Sequence, residues 1–76
     1  MYLYKRLKDL REDNDKKQAE IAYALNITTQ QYQLYESGKR EIPVHHLITL
    51  AKFYNISIDY ILGLTNICEP LNKSEK

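Results

Sequence analysis

Seventy-six residues allow one small domain and leave little room for an enclosed active site. Eleven Lys and Arg against ten Asp and Glu give a net charge of only +1, so any affinity for a polyanion must come from where the cations sit rather than from their sum. The single cysteine, Cys68, excludes an internal disulfide and has no Cys or His at metal-ligand spacing, which suits a reducing cytosol.

The N-terminal segment MYLYKRLKDLRED is amphipathic rather than a basic stretch followed by an apolar one, and no apolar run approaches the roughly 20 residues that span a bilayer. A cytoplasmic protein with no membrane association is expected. Leu3, Leu7 and Leu10 recur at the spacing of one buried helical face, which predicts a first helix over about 3–13. Asn14 and Asp15 then break it, since both side chains compete for backbone hydrogen bonds and tolerate a left-handed backbone. A second helix is expected over about 17–25, with Ile21, Ala22 and Leu25 inward and Asn26 as its stop.

Thr28 is a natural N-cap for a third helix over about 28–36, which Ser37 and Gly38 terminate. In that helix Tyr32 falls at the apolar position and is expected in the core. Pro43 suits the first turn of a fourth helix whose inward face reads Val44, Leu47, Ile48, Leu50, Ala51 and Tyr54, with Asn55 ending it. Ser57 caps a last short helix over 58–62 that buries Ile58, Ile61 and Leu62 before Gly63. The chain is expected to divide into a domain over 1–65 and a polar tail over 66–76.

Two short helical patterns joined at Asn26 and Ile27, the second opening on a cap and small polar side chains, form a helix-turn-helix signature. Such a unit can place its second helix in the major groove of duplex DNA, where each base pair displays a distinct pattern of donors, acceptors and methyl groups. Around it lie Arg6-Leu7-Lys8-x-Leu10-Arg11, Gln18-x-x-Ile21-Ala22, Tyr35-Glu36-x-Gly38-Lys39-Arg40, Pro43, Leu47-x-x-Leu50-Ala51 and Ser57-x-Asp59-Tyr60-Ile61-Leu62-Gly63. This ordered set, running over about 3–64 without a gap, resembles the phage repressor and Cro family, also called the XRE-type helix-turn-helix family. The resemblance implies an all-α fold, a compact five-helix bundle of the lambda-repressor-like type, and a sequence-specific regulator of transcription that binds double-stranded DNA.

What the resemblance implies for individual residues follows the same positions. Gln18 anchors a DNA phosphate at the start of the second helix, positioning the domain without reading sequence. Thr28, Thr29, Gln30, Gln33 and Leu34 face base edges, with Gln30 the foremost candidate because a glutamine amide pairs bidentately with adenine. The threonine methyls and Leu34 suit thymine methyls, so half-sites containing A·T pairs are expected. Lys39 and Arg40, in the loop beyond the third helix, contact the phosphate backbone. Arg11 and Glu36 form a structural ion pair joining the first helix to the third. Gln31 receives no reading role.

Two positions depart from the family pattern. Lys16 stands where an apolar residue packs before the second helix, and Lys17 where a Ser or Thr caps it; a lysine there opposes the helix dipole and cannot accept from free amides. Either Asp15 substitutes as the cap, or the two lysines, Lys17 in particular, add phosphate contacts at a cost in local stability. Catalysis is not expected. His45 and His46, the only histidines, are adjacent on one helix and should point about 100° apart, and no nucleophilic triad, paired carboxylates or glycine-rich phosphate loop is present. No cofactor or metal is expected. A homodimer, at least on DNA, is expected to use the fifth helix with Tyr60, Leu64 and Ile67, because operators of this kind are read as paired half-sites. The alternative is an antitoxin-type module that binds a second protein as well as operator DNA.

Overall fold

The computed structural model describes residues 4–67; Leu3, Cys68 and the tail beyond it lie outside the described residues. Five helices follow one another: α1 (Lys5–Asp13), α2 (Gln18–Leu25), α3 (Thr29–Glu36), α4 (Val44–Tyr54) and α5 (Ile58–Ile61). None of them is long and apolar enough to cross a membrane. Each contributes to one core: Leu7 and Leu10 from α1, Ile21, Ala22 and Leu25 from α2, Tyr32 and Tyr35 from α3, Leu47 and Leu50 from α4, and Ile61 from α5. Ile42 and Ile56, in the connections, complete it.

One device ends all five helices. A residue in the left-handed region follows each of them, namely Asp15, Asn26, Gly38, Asn55 and Gly63. The amide after it donates to the carbonyl five residues back: Lys16 to Arg11, Ile27 to Ala22, Lys39 to Leu34, Ile56 to Ala51 and Leu64 to Asp59. This closure satisfies carbonyls that a helix terminus otherwise leaves open, and only Gly, Asn and Asp adopt the required backbone at low cost. Asp15 is therefore the stop of α1 rather than the cap of α2. The cap position of α2 is held by Lys17, whose ammonium has no lone pair; compensation comes from Glu20, which accepts from the Lys17 amide at 2.7 Å.

At α4 the inward face is narrower than its apolar pattern. Leu47 and Leu50 are buried and Ala51 and Tyr54 half-buried, whereas Val44 and Ile48 are exposed. Each residue turns about 100° around the axis, which leaves 44 and 48 on one flank of the arc centred on Leu47, Leu50 and Tyr54. The opposite flank buries His46 beside Tyr35, with ring centroids 5.8 Å apart. The His45 ring does not point away from it as expected but folds over it, centroid to centroid 4.1 Å. Burial and the neighbouring imidazole both push the His46 pKa down. No third ligand joins the pair among the described residues. At α5, Ile58 and Leu62 are half-buried and only Ile61 is buried.

The first and last helices are held together by Arg6. Its Nη1 donates to the carbonyls of Tyr60 (2.9 Å) and Thr65 (2.6 Å), and Nη2 donates to Asn66 Oδ1 (2.8 Å). The guanidinium also lies 4.0 Å from the Tyr60 ring centroid, a favourable contact for a cation over an aromatic face. Arg6→Met is expected to keep the fold and lower its stability by about 1–3 kcal/mol, measured as a reduced urea midpoint with an unchanged slope. An unchanged midpoint would mean that the segment after α5 is held by other contacts.

Candidate nucleic-acid interface

The α2–α3 corner is built from local rules. Asn26 turns the chain, Ile27 dips part-way into the core, and Thr28 restarts the helix. Thr28 Oγ accepts from the Gln31 amide at 3.1 Å while Gln31 Oε1 accepts from the Thr28 amide at 3.0 Å, the reciprocal pairing of a capping box. Gln31 is thereby accounted for as a capping residue. With Tyr32 and Tyr35 buried, helical spacing turns Gln30, Gln33 and Leu34 outward.

These side chains form one wall of a cleft of about 780 Å³ whose remaining walls include Lys8, Arg11, Gln18, Glu36 and Lys39. Thus the cleft gathers Gln18, Gln30, Gln33, Leu34 and Lys39. Thr28, at the cap, Thr29, half-buried in the first turn, and the exposed Lys17 and Arg40 lie outside its walls. Lys8 is an addition: it shares a face of α1 with Arg11 at i, i+3, and that spacing in Arg6-Leu7-Lys8-x-Leu10-Arg11 is the signal by which it was findable. Lys39 is placed by the closure of α3, since both its amide (3.0 Å) and that of Arg40 (3.2 Å) donate to the Leu34 carbonyl.

At the cleft floor lies the Glu36 carboxylate. Arg11 Nε donates to Oε2 at 2.6 Å and Arg11 Nη2 to Oε1 at 3.3 Å, while Arg11 Nη1 reaches the Lys16 carbonyl at 3.0 Å. The two side chains are 14% and 7% exposed, so the pair is partly buried and largely withdrawn from water. Gln18 Nε2 donates to Glu36 Oε1 at 3.1 Å, and Gln33 Nε2 donates to Gln18 Oε1 at 2.9 Å. Burial alone pushes the Glu36 carboxyl upward, yet hydrogen bonds from Arg11, Tyr32 and Gln18 outweigh it and hold the pKa below the ordinary value. Burial pushes the Tyr32 hydroxyl strongly upward, so it stays protonated and donates. The Gln30 amide has no partner among the described residues.

A depressed folded-state pKa stabilises the fold fully above the unfolded carboxyl value and loses that contribution as the pH falls through the folded value. Urea midpoints are therefore expected to hold steady near neutrality and to decline below about pH 4.5; a flat profile down to pH 3 would contradict this. Truncating Glu36 alone, as in Glu36→Ala, leaves the Arg11 charge without its carboxylate and is expected to cost about 3 kcal/mol, the lower end for breaking a buried pair because this one is only partly buried, read from the same denaturation curves at pH 7.

A family model described as helix-turn-helix matches residues 7–61. Among curated proteins, the chain is 35% identical over 65 residues to an uncharacterized HTH-type transcriptional regulator, YobD, of Bacillus subtilis (strain 168), covering 86% of this chain and 58% of that protein. It is 40% identical over 63 residues to the HTH-type transcriptional regulator ImmR of the same organism, covering 83% of this chain and 50% of ImmR. A solved structure of a transcriptional regulator from Listeria innocua superposes with a TM-score of 0.76 at 32% identity, covering 79% of this chain and 56% of that one. The chain thus spans about half the length of the curated relatives it matches. Its five-helix architecture, its α2–α3 corner and these matches together show that the chain belongs to the XRE-type helix-turn-helix family.

Proposed function

We propose that the chain is a sequence-specific, double-stranded-DNA-binding regulator of transcription, acting as a repressor in the cytoplasm with α3 in the major groove. The observation that carries this reading is the outward face of α3, where Gln30 and Gln33 are exposed and Leu34 half-exposed beside a cleft flanked by Lys8 and Lys39. In it, Gln30 pairs with adenine, Thr28, Thr29 and Leu34 meet thymine methyls, and Gln33 contacts a second base edge. The Thr28 oxygen accepts from the Gln31 amide in capping, which holds the side chain in place and leaves its methyl and its O–H hydrogen available to DNA. Gln18, Lys17, Lys39 and Arg40 hold phosphates, with Lys8 added to that set.

A two-fold dimer on paired half-sites completes the reading. Leu64 and Ile67 are exposed, at 73% and 68%, beyond α5, and offer an apolar surface for it, while one face of Tyr60 is already taken by Arg6. The antitoxin-type alternative draws on a different surface, a largely apolar groove between α2 and α4 lined by Ala19, Tyr23, Ala24 and Phe53 with Lys16 and Glu20. A protein that copurifies and is lost on Tyr23→Ala would favour it.

Sequencing duplexes bound from a random pool tests the main reading. An inverted repeat is expected, and Gln30→Ala is expected to lose discrimination of about 1–3 kcal/mol at one position of each half-site; an unchanged profile removes the role of Gln30. Lys39→Ala is expected to weaken all duplexes alike and make the salt slope shallower by about one unit. A loss confined to one sequence would contradict the phosphate assignment.

A further inference from the structure

The bonds at the cleft floor have a direction. An ionised carboxylate offers only acceptors, so the end of the Gln18 amide facing Glu36 Oε1 at 3.1 Å is its NH2 group. That turns Gln18 Oε1 the other way, toward Gln33, whose Nε2 donates to it at 2.9 Å. Gln33 must therefore show its NH2 group to Gln18, which leaves its carbonyl Oε1 as the free acceptor of the amide. Glutamine amides elsewhere can rotate end for end to suit their partner. Here a flip of Gln33 would set carbonyl against carbonyl, and a flip of Gln18 would set carbonyl against carboxylate.

We propose that Glu36 and Gln18 form a positioning relay for specificity: the buried carboxylate, acting through the Gln18 amide, fixes which end of Gln33 reaches the base edge and so selects a base with a major-groove amino group. Adenine, through N6, and cytosine, through N4, offer that donor, whereas guanine O6 and thymine O4 are acceptors. Both hydrogens of a glutamine amide nitrogen can donate. Gln33 turns its nitrogen end to Gln18, so the carbonyl is the end it offers to a base, and one N–H of the amide remains beside α2. Gln18 likewise keeps one N–H for a phosphate, so a single side chain both anchors the domain and orients a reader. The Gln30 side-chain amide, which has no partner among the described residues, has no such polarity imposed on it before it meets a base. The inference rests on the reading of α3 as the helix in the major groove.

The test compares bound-duplex profiles for the parent, Gln33→Ala, Gln18→Leu and the double variant. Gln18→Leu leaves the Arg11–Glu36 pair in place, and circular dichroism verifies that each variant is folded. The position whose preference vanishes in Gln33→Ala is expected to carry adenine or cytosine in the parent. In Gln18→Leu, discrimination between amino-bearing and carbonyl-bearing bases at that position is expected to fall at least about fivefold. In the Gln33→Ala background, the same change is expected to alter overall affinity and no base preference. A parent preference for guanine or thymine there overturns the relay. So does a Gln18→Leu profile that weakens every duplex by one factor, because Gln18 then acts as a phosphate anchor alone. Failure of the parent to enrich any sequence removes the DNA reading beneath it, an outcome distinct from either of these.

Discussion

A single buried anion organises this domain. The Glu36 carboxylate, at the end of α3, takes hydrogen bonds from Arg11 on α1, Gln18 at the start of α2 and Tyr32 on its own helix. A carboxylate withdrawn from water is costly unless it is paired and its remaining lone pairs are satisfied. Here both conditions are met by groups from three helices, so the charge has one low-energy arrangement and the helices are registered to it. Arg11 extends the same connection to the backbone through the Lys16 carbonyl, which ties down the chain just before α2. The outward pose of α3 is thus set from beneath, by polar contacts whose geometry is narrower than that of apolar packing.

The remainder of the fold supplies stability by local means suited to a small core. A chain of this size buries too little surface for packing alone to carry it comfortably. The same left-handed closure ends every helix, and Thr28 and Ser57 cap α3 and α5 with side-chain oxygens. Each such feature contributes only about a kilocalorie, but they fix where helices stop and hence the angles at which they meet. Arg6 then draws the segment after α5 onto α1, closing the bundle between its two ends in sequence.

Most of this was legible in one dimension because it is encoded by neighbours. Asn26, Gly38, Asn55 and Gly63 announce stops, Thr28 and Ser57 announce starts, and the spacing of Leu7, Leu10, Ile21 and Leu25 gives the inward faces. Asp15 was legible as a residue that tolerates a left-handed backbone, and the alternative role as a cap failed because that conformation ends α1. Val44 and Ile48 misled because an apolar stripe does not say how wide an arc its partners cover. The Arg6 bonds, across 54 to 60 residues, and the Gln33–Gln18 bond, across 15, left no trace in periodicity. They join polar side chains at positions that any solvated helix face would also carry. The Arg11–Glu36 pair became visible through family resemblance, whereas its continuation to Gln33 depends on three-dimensional placement.

The central claim is that a buried charge network presents the outer face of α3 to DNA. Titration of isotopically labelled protein with an enriched duplex, followed through its amide resonances, addresses it directly. The account predicts that perturbations concentrate on the side-chain amides of Gln18, Gln30 and Gln33 and on the backbone from Thr28 to Arg40, with the groove at Tyr23 and Phe53 left unchanged. Perturbations centred on that groove, with the α3 amides unmoved, would contradict it.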